Sequence, residues 1–294
     1  MNSSASLNFF KRPPINIENE VGAYEFLWSQ QGITFKRIAE LFKDNPNQLP
    51  SELVEQSYIK DTLKDLHRWV DKVDFNISLN GTIDYPHDLR DATYPVELFY
   101  YKGWLDLIYT PKRIAIVGTR NPTEEGIIRT RKLTKLLVEQ GYTIFSGLAK
   151  GVDTIAHKTA IENNGCTVAV IGTPIIDYYP PENKELQDYI AEKYLLVSQV
   201  PIKRYHEQNF KFNKIFFPER NATMSALSQA TVIVEAGETS GSLIQARAAL
   251  KQGRKLFILE SCFNNPNISW PRKYEKMGAT RVRDIGDIVG VLEG

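Results

Sequence analysis

The residues of this sequence that can do chemistry gather where short apolar runs end in glycine. The stretch 113–172 reads RIAIVGTRNP, then a helical pattern, then YTIFSGLAKGVDTIAH, then a second helical pattern, then CTVAVIG. Gly118, Gly147 and Gly172 each close an apolar run. A glycine there lets a ligand approach the backbone, and the helix that follows offers unpaired N–H groups to an anion. The chemistry implied is phosphate recognition. In the first turn, Gly118-Thr119-Arg120-Asn121, the Arg120 guanidinium suits a bidentate grip on phosphate. The plainer alternative for Arg120 is a surface ion pair. In the second turn, Ser146 and Gly147 precede Lys150 beside a helix start, with Asp153 placed to cap that helix or favour its dipole. His157, a lone histidine one turn further on, reads as a packing residue. Ser240-Gly241-Ser242 opens a later helix and makes a second phosphate nest.

The segment IKRYHEQNFKFNKIFFPERN adds a different signature. Lys203, Arg204, Lys211, Lys214 and Arg220 interleave with Tyr205, Phe210, Phe212, Phe216 and Phe217. Cations track a sugar–phosphate backbone while aromatic faces accept bases. One or two of these aromatics are expected at the surface and the rest in the core. Tyr178 and Tyr179, in IIDYYPPENKEL, suit base stacking or burial under their loop equally well. Catalytic patterns are missing. There is no G-x-G-x-x-G, and the second strand ends in Ser146-Gly147 where a dinucleotide site would place an acid for the ribose. Glu238 stands where a hydrolase elbow needs glycine. Neither a G-x-x-x-x-G-K-[ST] loop nor an H-E-x-x-H pair occurs. The expectation is binding without catalysis, with no cofactor and no metal.

The elements that must position these residues follow from length and patterning. The chain has 294 residues, enough for one large domain and a small one. Residues 1–15, polar with Pro13-Pro14, read as a flexible arm. Residues 16–75 read as a small helical domain, with apolar faces at Ala23, Phe26, Leu27, at Ile38, Leu41, Phe42 and at Leu63, Leu66, Trp69, Val70. Residues 76–110 read as an aromatic linker packing on the main domain. Residues 111–294 alternate strand and helix. Strands are expected at 113–117, 142–146, 167–171, 195–199, 231–235 and 255–259. Helices are expected at about 123–140, 152–164, 182–193, 221–229 and 241–252, with two short ones in 270–292, the second starting near Asp284. The fold class is α/β: a doubly wound, mostly parallel sheet with a small N-terminal helical domain; the family resemblance given below implies that it is extended Rossmann-like. Ligands bind such sheets beyond the strands' carboxyl ends.

Net charge is +1, so nucleic-acid affinity requires a local basic patch. The two cysteines, Cys166 and Cys262, fit neither a disulfide framework nor a metal knuckle, and Cys166 is expected to be a small buried hydrophobe. With no signal peptide and no apolar run long enough to span a membrane, a cytoplasmic protein is expected.

Six runs in order give the sequence a family resemblance. DYPHDLRD…YPVELFYYKG, AIVGTRNPTEEG, SGLAKGVDTIAH, TVAVIGTPIIDYYPPEN, FPERNATMSALS and VIVEAGETSGSLIQARAAL, over roughly 83–260, resemble the DprA/Smf family of bacterial DNA-processing proteins. The resemblance implies an extended Rossmann-like domain that binds single-stranded DNA, forms a homodimer and loads a RecA-type recombinase during natural transformation. By motif match, the family's DNA contacts fall on Gly118, Thr119 and Arg120, on Lys214 and Phe217, and on Arg220 and Asn221. Lys251 and Arg254 lie near a further basic position of the family. Three departures stand out: Ala222 replaces a second arginine, the run ESCFNNPNISWPRKYEKMGATRV replaces a P-G turn, and the winged-helix domain that many members carry at the carboxyl end is not expected here. They leave room for a divergent role in mobile-element or defence-associated DNA handling. The alternative function is a nucleotide sensor, or a nucleotide or NAD hydrolase of the lysine-decarboxylase-like type, with Glu235 as its acid; the P-G-G-x-G-T-x-x-E run of those enzymes is absent. A scaffold with a vestigial cleft is the third reading.

Overall fold

A computed structural model describes residues 15–72 and 74–294. The polar arm therefore lies outside the described residues, apart from Ile15. The N-terminal helices are α1 (Ile17–Ser29), α2 (Phe35–Asp44) and α3 (Gln56–Leu66). Asn16 caps α1 by accepting from the Asn19 N–H, and Thr34 caps α2 by accepting from that of Arg37. Tyr24, Trp28, Ile38, Phe42 and Leu66 are buried in a core these helices share with the sheet.

The chain then runs β1 (Asn76–Leu79), β2 (Leu98–Gly103), β3 (Arg113–Val117), α4 (Glu124–Glu139), β4 (Thr143–Ser146), α5 (Val152–Glu162), β5 (Thr167–Ile171), α6 (Lys184–Lys193), β6 (Leu195–Ser198) and α7 (Ile202–Glu207). It continues with α8 (Phe216–Leu227), β7 (Ala230–Ile233), α9 (Ser242–Lys251), β8 (Lys255–Leu259), α10 (Glu260–Phe263), α11 (Trp270–Lys276), β9 (Thr280–Val282) and α12 (Ile285–Glu293). The described strands form one sheet in the order β1-β2-β6-β5-β4-β3-β7-β8-β9. All neighbours from β6 to β9 pair parallel, and β1 and β2 pair antiparallel at one edge. The doubly wound sheet expected from the alternation is present, and it is Rossmann-like, as the resemblance implied. Continuous apolar strands such as TVAVI in β5, buried at every position, result from helices covering both faces.

Segment 76–110 does more than pack on the sheet: it enters it as β1 and β2. Phe99 and Tyr85 sit in the main core, and the Tyr85 hydroxyl donates to the Val96 carbonyl. Asp284 caps α12, as its position suggested. The short β9 lies between the two tail helices, where no strand was expected. Cys166 is exposed, because β5 begins one residue later; burial falls instead on Cys262, whose thiol is pushed up to about 12.

One buried carboxylate ties the N-terminal helices to the sheet and to α7. Glu25, fully buried in α1, accepts from the Tyr100 hydroxyl at 2.6 Å and from the Ile202 and Lys203 N–H groups at 2.7 and 2.9 Å. It thereby caps α7. Lys203 and Arg204 of α7 complete the dock: Lys203 pairs with Asp65 of α3, and Arg204 donates to the Ile33 carbonyl. Burial pushes the Glu25 carboxyl up to about 7, with the three hydrogen bonds opposing. The folded state thus holds this proton more tightly than the unfolded chain, so stability falls as pH rises from about 4.5 to about 7. Glu25→Gln is expected to remove that component. Relative to wild type, the variant gains about 3 kcal/mol between pH 4.5 and 8, read by urea unfolding across that range.

Candidate nucleic-acid interface

The order of strands reverses between β3 and β7: β4, β5 and β6 extend from one side of β3, and β7 opens the other. A cleft of about 380 Å³ lies at this switch point, beyond the strands' carboxyl ends. Gly118, Thr119 and Arg120 line it after β3, Phe217, Arg220 and Asn221 from α8, and Ser240, Gly241 and Ser242 at the start of α9. Thr119 is tied to β7 by its N–H, which donates to the Glu235 carbonyl at 2.7 Å. Arg120 is exposed and, among the described residues, makes no ion pair. Its guanidinium is open to a phosphate. Across the cleft, Ser240 and Ser242 share a 2.7 Å hydrogen bond between their hydroxyls beside the Gly241 turn.

The other anion positions expected from the glycine turns are filled by the protein itself. The start of α4 holds the Glu235 carboxylate, which accepts from the Thr123 N–H at 3.0 Å and its hydroxyl at 2.7 Å. Glu235→Ala is expected to destabilise the fold by about 1–2 kcal/mol through loss of this carboxylate at the helix start, measured by chemical unfolding. The same bonds commit Glu235 to a structural task, so nothing in its geometry favours the hydrolase reading. The start of α5 is covered by the Thr119–Arg120 turn. Gly151 (φ 75°) makes this possible: a Cβ there would stand 2.5 Å from the Thr119 oxygen. At the third turn, the Phe217 ring lies against Gly172, where a Cβ would stand 2.6 Å from the ring.

Several residues singled out from the sequence are not brought to the cleft lining. Ser146 is buried, its hydroxyl donating to the Ile116 carbonyl at 2.7 Å. Gly147 is enclosed, its N–H donating to Asp153 at 3.1 Å and its carbonyl accepting from Arg220. Lys150 is exposed but ion-paired with Glu182. Asn121 sits beside the turn with its N–H on the Thr119 hydroxyl. Lys214 is exposed in the short 3₁₀ segment Phe210–Ile215, outside the lining. Lys251 ends α9, and Arg254 precedes β8, so both stand at the opposite, amino-end rim. There Arg254 pairs with Asp91 at 2.8 Å and donates to the Ala226 carbonyl at 3.1 Å. Their displacement follows from helix length: α9 crosses the sheet from one rim to the other.

Arg220 lines the cleft yet is only 6% exposed. It donates to the Gly147 and Val170 carbonyls at 2.5 and 2.7 Å and to the Asn221 side chain at 2.9 Å. It is a clamp joining α8 to the ends of β4 and β5. Asp153 lies near it: burial pushes this carboxyl up to about 6, and the Arg220 charge holds it down. His157 is fully buried on Thr167 at 2.7 Å, and burial pulls it down to about 3, so it packs as a neutral ring. Ala222 is absent from the cleft lining; its carbonyl accepts from Gln252. Sequence reasoning also passed over the props of the nest. Trp270 donates to the Ala236 carbonyl, Tyr274 to that of Leu243, and Ser269 donates twice to Glu238. These lie within the divergent run 260–282, which thus supports the β7–α9 loop. Among the described residues, no cluster of His, Cys, Asp or Glu could hold a metal ion, and no helix is long and apolar enough to cross a membrane.

Fold and cleft together define a Rossmann-like α/β protein with an open cleft at its switch point. The profile of the family DNA recombination-mediator protein A matches residues 76–293, and the chain belongs to that family. It is 36% identical over 204 residues to DNA processing protein DprA of Bacillus subtilis, covering 69% of this chain and 67% of that protein. It is 41% identical over 175 residues to DNA processing protein DprA of Streptococcus pneumoniae, covering 60% of this chain and 59% of that protein. Across the curated relatives described as DprA or Smf, the matched share falls as low as 45% of their length. The solved structure of the Streptococcus pneumoniae protein is similar with a TM-score of 0.73 at 28% identity, covering 94% of this chain and 98% of that one. DNA processing protein A from Helicobacter pylori, described for its single-stranded DNA binding mode, is similar with a TM-score of 0.62 at 29% identity, over 74% of this chain and 95% of that one.

Proposed function

We propose that the switch-point cleft binds single-stranded DNA and that the protein is a non-catalytic mediator, acting as a homodimer that delivers the strand to a RecA-type recombinase in DNA uptake or recombination. One observation carries the reading: an unpaired Arg120 faces the Ser240-Gly241-Ser242 nest across an opening edged by the Phe217 ring. A cation and a nest hold successive phosphates, and an aromatic face accepts a base in any sequence. Membership of the family and the single-strand binding described for the Helicobacter pylori relative support it. Within the cleft, Asp153 and Arg220 are tied to backbone groups and Ser240 and Ser242 to each other, so the lining serves to grip rather than to attack.

The test is fluorescence anisotropy with single-stranded and duplex oligonucleotides of about twenty bases. The single strand is expected to bind more tightly, with log affinity falling against log salt by about 0.7 per phosphate neutralised. Equal binding of both forms, or salt-insensitive binding, overturns the proposal. Delivery is tested separately, by whether the protein shortens the lag of RecA assembly on strands coated with single-strand binding protein.

A further inference from the structure

We propose that Phe210 and Phe212 form a base-stacking platform outside the cleft, so that a strand gripped at Arg120 leaves over Phe217 and lays its next bases on these two rings. The inference rests on the single-strand reading of the cleft and adds to it the direction of the strand and the chain's own stacking residues.

Phe210 and Phe212 are 71% and 63% exposed. Two water-facing phenyl groups within three residues are unusual unless something covers them. Their exposure is built into a fixed segment. Asn209 caps the turn by accepting from the Lys211 N–H at 3.0 Å, and the buried Asn213 donates to the Tyr205 carbonyl at 3.0 Å. Phe216, at the end of the same segment, is fully buried against Phe35, with ring centroids 5.8 Å apart. One aromatic thus anchors the segment while two are presented.

The charge around the rings selects the occupant. Lys211 and Lys214 are exposed and, among the described residues, have no ion-pair partner, whereas Lys203 of the same basic run is spent on docking the helical domain. Free cations interleaved with aromatic faces fit a single-stranded polynucleotide. The segment is also continuous with the cleft: it runs directly into α8, whose first turn places Phe217 in the lining, 5.5 Å from the exposed Tyr179 ring. The competing exit lies beyond Gly237, in a cleft of about 650 Å³ over the ends of β7 and β8. Its walls carry Glu235 and Glu125, and its Arg129 is already paired with that Glu125. A phosphate chain is better received on the phenylalanine side.

The experiment compares oligothymidylates of four and about twenty bases on wild type, the Phe210→Ala/Phe212→Ala double variant, Arg120→Glu and Arg129→Glu. The double variant is expected to bind the long strand more weakly by about five- to a hundredfold for each base no longer stacked, and the tetramer as wild type does. A 2-aminopurine placed beyond the first four bases is expected to be quenched by wild type and not by the double variant, and Phe210→Trp/Phe212→Trp is expected to restore quenching. Both rings are at the surface, so the fold tolerates these changes. Long-strand binding unchanged in the double variant, or weakened by Arg129→Glu instead, overturns the platform while Arg120→Glu still loses both oligomers. Failure of wild type to bind either oligomer, with Arg120→Glu no different, overturns the underlying single-strand reading and the platform with it.

Discussion

Arg120→Glu is expected to weaken binding of a twenty-base single strand by about a hundredfold or more while leaving the unfolding midpoint unchanged. The size follows from removing a charge-assisted hydrogen bond and replacing it with a repelling carboxylate in a cleft already close to Asp153. The neutrality for folding follows because Arg120 is exposed, has no ion-pair partner among the described residues, and favours the Asp153 carboxylate while repelling the Arg220 guanidinium, two effects that offset each other. The slope of log affinity against log salt is expected to flatten by about 0.7, because the variant neutralises one phosphate fewer. Lys251→Glu supplies the matched control. It reverses the same sign of charge on the same domain, but at the far end of α9 from the Ser242 nest. If both substitutions weakened binding equally, the strand would be attracted by net charge and not gripped at the switch point. Anisotropy titrations of the two variants at several salt concentrations separate these outcomes.

The contrast between Arg120 and Arg220 also marks how far the sequence could be read. Both arginines follow a strand end or open a helix, and both fit a phosphate. One is open; the other is enclosed by the Gly147 and Val170 carbonyls, which lie 73 and 50 residues away in the chain. The same limit applies to the glycine turns. Their local pattern promised helix starts open to anions, but α4 is occupied by a carboxylate 112 residues distant from Thr123. Local chemistry identifies what a turn can bind; distant segments decide whether the place is already taken. Lys203 and Arg204 show this again, as cations that look like part of a nucleic-acid track and instead hold the helical domain.

The parallel strands were legible for a physical reason. From β3 to β8 each is largely buried on both faces, so its sequence is a continuous apolar run bounded by turns. Strands β1 and β2 were hidden because NISL and LFYYKG are separated by a stretch with prolines at 86 and 95, which reads as extended linker, and because they pair antiparallel at an edge. β9 has three residues, too few to show a period. The cleft itself was visible at Gly118–Arg120 and Ser240–Ser242, where glycine stands beside a cation or hydroxyls just beyond a strand's carboxyl end. Its supports at Ser269, Trp270 and Tyr274 were not, because a tryptophan that props a loop looks like any core tryptophan.

Arg220→Met is expected to cost about 3–5 kcal/mol at pH 8 and less at pH 5. The guanidinium is nearly fully buried, and its removal takes the side-chain donor from two enclosed carbonyls and from Asp153 the positive charge that most holds its carboxyl down. In the wild type, burial already raises Asp153 to about 6, so the folded state holds its proton more tightly than the unfolded chain, and stability falls as pH rises from about 4 to 6. Without Arg220 the carboxyl rises further, and the window over which stability is lost extends upward. At pH 5 the carboxyl is largely protonated either way and the loss reduces to the two carbonyls. The contribution from Glu25 cancels in the comparison, whereas removing Arg220 also relieves a charge that helps hold His157 down, which further lessens the loss toward acid pH. Adding Asp153→Asn to Arg220→Met is expected to remove the pH-dependent part and leave the rest, so the two substitutions are strongly non-additive at pH 8 and nearly additive at pH 5. Urea unfolding of the four proteins at the two pH values measures this directly. Equal losses at both pH values would mean that Arg220 serves the carbonyls alone, and that the charge of Asp153 is balanced from elsewhere in the cleft.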